Sequence, residues 1–406
     1  MTRFGRSSGI LLPVASLPGG RMGDAARRFV DWLADAGQTW WQILPFGPPD
    51  EYGSPYAAAS AFAGAPTWLS APFAPVTAEE IEQFVATHPG WSASWAAFAG
   101  AGALADQVRF GREWARVRAH AAERGVHILG DMSFAVASGS ADHRAQPELF
   151  RAGVVGGVPP DDWCADGQRW GTPVYDWAMI RGQHWRWWID RFGRMLELVD
   201  AVRVDHFRGF VAAWVVPRGA TTAVDGHWRR GPGAALFRTV EHELGTLPIV
   251  VEDLGVITPP VHRLREELGY PGMRVLQFGF SGGASNHNDP ADYPERCVLY
   301  SGTHDHDPLA GWWEHTTERE RRRATAAWHE AGIDEPEPAW SLLRLAYSTR
   351  AGLAILQMQD VLGLGREARL NTPGTAEGNW SWRLAPGQLT DTLAERLREA
   401  TASSGR

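Results

Sequence analysis

Eight short apolar runs, each closing on a polar, glycine- or proline-containing loop, set the strongest limit on what this 406-residue chain can fold into. They occupy residues 8–13 (SGILLP), 40–45 (WWQILP), 127–132 (HILGDM), 201–207 (AVRVDHF), 248–255 (PIVVEDLG), 274–280 (RVLQFGF), 297–305 (CVLYSGTHD) and 353–363 (LAILQMQDVLG). Their apolar residues run on instead of alternating with polar ones, the pattern of strands covered on both faces in a parallel sheet. Between them the patterning predicts helices over 24–37, 106–124, 184–199, 233–245, 259–268 and 317–331. Eight strand and helix units predict an α/β fold, a (β/α)8 TIM barrel forming a single catalytic domain over 1–406, with a doubly wound open sheet as the structural alternative. Two connections are too long for simple turns: 48–125 after the second run, with an Ala- and Trp-rich helical insertion, and 133–183 after the third. Loops of that length in a compact domain are lids or binding walls. The tail 401–406 is expected to fray.

Composition narrows the partners. Lys plus Arg number 39 against 47 Asp plus Glu, a formal charge of -8, which repels a phosphate backbone and excludes nucleic acid as a partner. No run of about 18 apolar residues exists to cross a membrane. Residues 10–17 have a faint secretory look, but Pro13 interrupts them and no clear small-residue cleavage site follows. Two cysteines, Cys164 and Cys297, give no disulfide framework. A cytoplasmic protein is expected, a monomer or weak homodimer. The 21 Trp are the compositional outlier, readable either as core filler or as stacking platforms for the flat faces of sugars.

Asp131, Asp205, Glu252 and Asp305 fall at the C-terminal ends of four runs, the ends that share one rim in a barrel. Arg203, two positions before Asp205 on the same strand face, would hold that carboxylate ionised. Glu252 follows an apolar stretch, and desolvation there would raise its pKa enough to carry a proton at neutral pH. A nucleophile and an acid/base with opposite shifts are what a retaining glycosidase needs, and Asp305 with His304 could hold sugar hydroxyls. Other readings stay open for each: a structural ion pair for Asp205 and Arg203, a helix N-terminal acid for Glu252, and a metal site at 304–307, which neighbouring residues on opposite strand faces disfavour.

Together the motifs are more specific. The chain resembles the 4-alpha-glucanotransferases (amylomaltases, disproportionating enzymes) of glycoside hydrolase family 77 almost end to end. The resemblance rests on RSSGILLPVASLPGG, WWQILPFGPP with YGSPYAAASAFAG, LGDMSF, GVPPDDWCADGQRWGTPVY, VRVDHFRGF, VEDLGVITPPV, GMRVLQFGF, YSGTHDHD, QDVLGLGREARLN and GNWSWR, in that order. It implies a barrel with lid-forming insertions after strands 2 and 3, and transfer of α-1,4-glucan segments between maltooligosaccharides through a covalent glucosyl-Asp intermediate. The nucleophile would be Asp205, the general acid/base Glu252, and the transition-state-stabilising carboxylate Asp305. Arg203, His304, Asp131 and Tyr56 would contact the reacting sugar, and Trp163, Gln168 and Trp170 would lie in the loop over the donor. Ser54, Asp253 and Asn379 are carried over on weaker matches. No cofactor and no metal are implied.

Against the family pattern the insertion 48–125 reads as reduced. Ser133, Ala135, Gly139, Asp162, Ala291, Asp292 and His306 replace usual residues, and 278–283 (FGFSGG) lacks an acid often found there. Such changes around the outer subsites would admit water, so an α-1,4-glucan hydrolase, or a transferase with another acceptor, is the alternative. A catalytically weak glucan-binding protein is the reading from a different class.

Overall fold

The computed structural model describes residues 4–161, 164–255, 257–282, 289–375 and 377–406. Its strands, in chain order, are β1 (Ser7–Leu11), β2 (Trp40–Gln42), β3 (His127–Met132), β4 (Val154–Val158), β5 (Gln168–Arg169) and β6 (Ala201–Val204). They continue as β7 (Ala212–Pro217), β8 (His227–Arg230), β9 (Ile249–Val251), β10 (Gly272–Val275), β11 (Cys297–Tyr300) and β12 (Leu353–Gln357). Eight of them close into a barrel in the order β1-β12-β11-β10-β9-β6-β3-β2. Its pairings are parallel: β1 aligns Gly9 with Trp40 on one side and with Ile355 on the other. Gly9 is needed there, because a Cβ would lie 2.4 Å from the Trp40 Cβ.

Each of these eight strands falls on one of the eight apolar runs, although β10 shares only Arg274 and Val275 with its run, whose remainder, Leu276–Phe280, is a 3-10 helix; the (β/α)8 barrel stands and the open sheet does not. Several strands stop before their runs do. The run 201–207 ends as strand at Val204, because Asp205 opens a turn and His206 takes the left-handed conformation at φ 46°. The predicted helices are present at Asp24–Asp35, Ala103–Glu123, Arg186–Leu198, Ala234–Leu244, Pro259–Leu268 and Glu318–Glu330. In the first, Ala26, Phe29, Val30 and Leu33 are buried at helical spacing, and Phe29 meets Trp41 edge-on at 5.2 Å. Among the described residues no helix is long and apolar enough to cross a membrane.

The chain divides into two compact units: Met1–Leu44, Arg116–Leu129 and Pro271–Arg406 form one, Pro45–Ala115 and Gly130–Tyr270 the other. The second carries an antiparallel sheet, β5-β4-β7-β8, that the apolar runs did not predict. Two glycines weaken the strand signal of β4 (VVGGV), while β7 (AAWVVP) has a readable one. Val155, Val216 and Ala223 form its small core, with Trp214 against it.

In the long connection after β2, helices Ala78–Thr87, Ser92–Ala99 and Ala103–Glu123 follow one another. The last two are separated by residues 100–102, where Gly100 (φ 82°) and Gly102 (φ 85°) take backbone angles other residues rarely reach. The C-terminus does not fray. The helix Asp391–Ser403 runs nearly to the end, and the Arg406 guanidinium donates to the carbonyls of Ser7, Tyr347, Thr349 and Gly352. Trp41, Trp114, Trp188 and Trp340 are fully buried core residues, whereas Trp170 and Trp228 are about two-fifths exposed, at 40% and 42%.

Candidate active site

In the second unit, Asp131 lies on β3, and Asp205 and Glu252 directly follow β6 and β9. Asp131 is fully buried and strongly hydrogen-bonded: Arg203 Nη1 donates at 2.8 and 2.7 Å to its two oxygens, and the Tyr56 hydroxyl donates at 2.7 Å. Arg203 also reaches Asp205, Nη2 to Oδ1 at 3.1 Å. The pairing read from the sequence is therefore present, yet the closer partner of the guanidinium is Asp131. Burial works against the Arg203 charge, but Asp131, Tyr56, Asp205 and Glu252 around it hold its pKa above the ordinary value. The Tyr56 hydroxyl is pushed well above its usual pKa, first by burial and then by the Asp131 charge, so it remains a donor.

Glu252 sits at the end of β9 with both oxygens engaged. The backbone N–H of His206 donates to Oε2 at 2.9 Å and that of Leu254 to Oε1 at 2.8 Å. The left-handed turn at His206 aims the first of these donors, which gives the strained residue a purpose. Burial, and then the neighbouring Asp205 charge, push the Glu252 carboxyl up to about 7 against the pull of Arg203. This is the shift expected from the apolar run before it. His206, which the motif reading did not single out, has its ring depressed to about 4 by burial, so it is neutral where Glu252 titrates. The Trp170 ring meets the His206 ring edge-on, centroids 4.8 Å apart.

In the first unit, β11 leads through Gly302 to His304 and Asp305. A Cβ at Gly302 would press within 2.5 Å of the Gln357 amide and 2.9 Å of the Gln277 amide, so any larger residue would displace both side chains. His304 is buried, Asp305 is 38% exposed, and His304 Nε2 lies 3.3 Å from Asp305 Oδ2. Asn371 Nδ2 donates to the other oxygen, Oδ1, at 2.6 Å. Burial would raise the Asp305 pKa, but His304 and the Asn371 hydrogen bond outweigh it and hold the carboxyl well below the usual carboxylate range. Trp380, in the left-handed region at φ 59°, packs its ring 5.7 Å from that of His304.

The run 304–307 does not gather on one ion. His306 Nδ1 turns to Thr303, and Asp307 accepts from Arg366 at 2.6 Å and Arg369 at 2.9 Å. Among the described residues no group of three or more His, Cys, Asp or Glu is arranged to hold a metal.

The outer carry-overs are more dispersed. Gln168, exposed on β5, accepts from the Trp170 indole at 3.1 Å. The Ser54 N–H donates to Asp50 at 2.8 Å. Asp253, buried, lies 3.5 Å from Arg265, a structural pairing. Asn379 spends its amide inside its own loop on Thr372 and Thr375. Asp162 and Trp163 lie outside the described residues. Asn371, Arg369, His206 and Trp380 carry no distinguishing signal of their own in the sequence, although Arg369 and Asn371 sit in the REARLN motif and Trp380 in GNWSWR.

The sequence profile of the 4-alpha-glucanotransferase family, glycoside hydrolase family 77, matches residues 12–99 and 103–390. The chain belongs to this family. Its activity is that of the group, 4-alpha-glucan transfer, and its barrel is the family's scaffold. It is 37% identical to the 4-alpha-glucanotransferase of Thermus thermophilus, with 99% of each protein covered, and 37% identical to that of Synechocystis sp., covering 99% of this chain and 98% of the relative. Amylomaltase from Streptococcus agalactiae, solved in complex with acarbose, superposes with a TM-score of 0.92 at 28% identity over 99% of both chains. The alignment with the Thermus enzyme runs over 495 positions, more than the 406 residues here, so that relative carries stretches without a counterpart in this chain. The family match breaks at 100–102, the two-glycine turn between helices Ser92–Ala99 and Ala103–Glu123.

Proposed function

We propose that this enzyme transfers α-1,4-glucan segments by double displacement, with Asp205 as nucleophile, Glu252 as acid/base and Asp305 as the stabilising carboxylate. Asp205 attacks the anomeric carbon, the bond from that carbon to the leaving oxygen breaks, and the Glu252 proton passes to that oxygen. A glucosyl ester on Asp205 results. An acceptor hydroxyl then gives its proton to Glu252 while its oxygen attacks the same carbon, and Asp205 is released as a carboxylate.

The observation that carries this reading is the environment of Glu252: half-buried, seated on two backbone N–H groups, and pushed up to about 7 by desolvation and the Asp205 charge. Forming the ester removes that charge. The Glu252 pKa then falls, and the group that was an acid in the first step becomes a base in the second. Tyr56, Asp131, Arg203 and His304 hold the reacting sugar; Trp170 and Gln168 line the donor path, a role the family resemblance extends to Trp163, outside the described residues, and Ser54, Asp253 and Asn379 support it more distantly. The substrate is a maltooligosaccharide or α-1,4-glucan, and the reaction calls for no cofactor or metal. The setting this reading assigns is the cytoplasm, with the enzyme working as a monomer or weak homodimer.

One observation favours water as a competing acceptor. The family match breaks inside the connection 48–125, and the cleft at Tyr56 and Asp131 is lined in part by small residues, among them Ser133, Ala135 and Ala137. Incubation with maltotriose alone, followed by chromatography with free glucose quantified, separates the outcomes. A ladder of longer oligomers with glucose is expected. Maltose and glucose without longer products would make water the acceptor, and no turnover would overturn the assignment.

A further inference from the structure

We infer that Asn371 is a positioning residue for the third carboxylate, and that the short segment Arg366–Asn371 exists in part to hold it. This rests on the reading of Asp305 given above. Asn371 grips the Asp305 turn at two points. Its side-chain Nδ2 donates to Asp305 Oδ1 at 2.6 Å, and its backbone N–H donates to the carbonyl of the preceding residue, His304, at 3.0 Å. Arg369 fixes the other side of the same turn: its guanidinium donates to the Asp305 carbonyl, to Asp307 Oδ1 at 2.9 Å and, through Nε, to the Asn371 carbonyl at 2.7 Å. Asp307 is anchored in turn by Arg366, at 3.0 Å from Nε and 2.6 Å from Nη2.

The consequence is chemical as well as geometric. Asp305 is 38% exposed, so nothing in its burial alone would keep one rotamer. With His304 on Oδ2 and Asn371 on Oδ1, each oxygen has a fixed donor and keeps a lone pair for a sugar hydroxyl. An amide is the right group for this duty. It donates without adding charge, whereas a carboxylate at 371 would repel Asp305 and a purely apolar residue would leave Oδ1 to water. Outer partners that orient metal ligands are worth about 10- to 100-fold in activity, and an amide that orients a working carboxylate should act on the same scale.

Three variants assayed on maltotriose across pH 4–9 test the inference. Asn371→Ala should lower kcat about 10- to 100-fold with KM for maltotriose changed less than about threefold, because the carboxylate is present but misplaced. Asn371→Asp should act as Asn371→Ala does at pH 7 to 9, where the introduced carboxyl and Asp305 are both ionised. It should recover several-fold toward wild type near pH 4 to 5, where the introduced carboxyl, once protonated, again donates to Oδ1. Asp305→Asn should be inactive at every pH. An Asn371→Ala enzyme within about twofold of wild type in kcat, or an Asn371→Asp profile parallel to that of Asn371→Ala, overturns the positioning role while leaving the site assignment intact. An active Asp305→Asn instead overturns the assignment itself. Thermal unfolding of each variant separates loss of fold, and Asn371→Asp, nearly isosteric, keeps the test alive if the alanine variant does not fold.

Discussion

Two carboxylates, Glu252 in one unit and Asp305 in the other, start from nearly the same chemistry and end with opposite proton affinities. Glu252 follows a fully buried strand and has two backbone donors, and desolvation plus a like charge wins: its pKa rises to about 7. Asp305 is desolvated as well, but the His304 imidazole and the Asn371 amide beside it outweigh that: its pKa falls well below the ordinary range. What decides is not how many hydrogen bonds each receives but whether a neighbouring charge adds to desolvation or cancels it. A barrel that offers both environments can keep one carboxyl protonated and another ionised at one pH, as glycosyl transfer requires.

The largest effect that would test this contrast comes from the nucleophile. Asp205→Asn should lower kcat on maltotriose on the order of 10⁴-fold or more, since no covalent route remains. The same variant sharpens the electrostatic half of the comparison. With the Asp205 charge gone, the Glu252 pKa should fall toward its ordinary value, while that of Asp305 stays low. Carboxyl NMR titration of the two groups reads both at once, and an unmoved Glu252 would show that burial alone sets it.

Next in size is the acid. Glu252→Ala should cost about 10²- to 10⁴-fold with maltotriose, and much less with an activated leaving group such as a fluoride, which departs without a proton. In the wild type, kcat/KM should fall as pH rises through about 7, because the first step needs Glu252 protonated. That alkaline limb should be absent from Glu252→Ala assayed with the fluoride. A wild-type rate that rose from pH 7 to 9 would break the assignment.

Much of this was legible in the sequence, and the rest was hidden for physical reasons. The eight strands were visible because strands covered on both faces need continuous apolar residues, and VRVD and VVED showed where the ladder gives way to polar ends. The direction of the Glu252 shift followed from the same run. What could not be read was partnership across distance: that Arg203 binds Asp131 more closely than Asp205, that the His206 N–H turns onto Glu252, or that Asn371, 66 positions downstream, seats Asp305. Those depend on which strands and loops lie side by side: Arg203 and Asp131 face each other from the neighbouring strands β6 and β3. Asn379, a motif neighbour of Trp380, has a partnership of the opposite, local kind, with its amide on Thr372 and Thr375 within its own loop. The sheet of β4, β5, β7 and β8 was missed because β5 has only two residues and β4 is rich in glycine.

The smallest effect concerns the floor of the site around Asp131, and it follows from the donors on that buried carboxylate. Tyr56→Phe removes the hydroxyl's hydrogen bond but leaves both from Arg203. A hydrogen bond to a charged group is worth about 1.5–3 kcal/mol, and Arg203 should compensate in part, so activity should fall about 10-fold while the aromatic ring stays available to the sugar. Replacing the ring as well, in Tyr56→Ala, should cost more, and in KM as much as in kcat. If Tyr56→Phe fell as far as Tyr56→Ala, the hydroxyl rather than the ring would be the working part of Tyr56. The Arg203–Asp131 pair could then not hold its geometry without the phenol beside it.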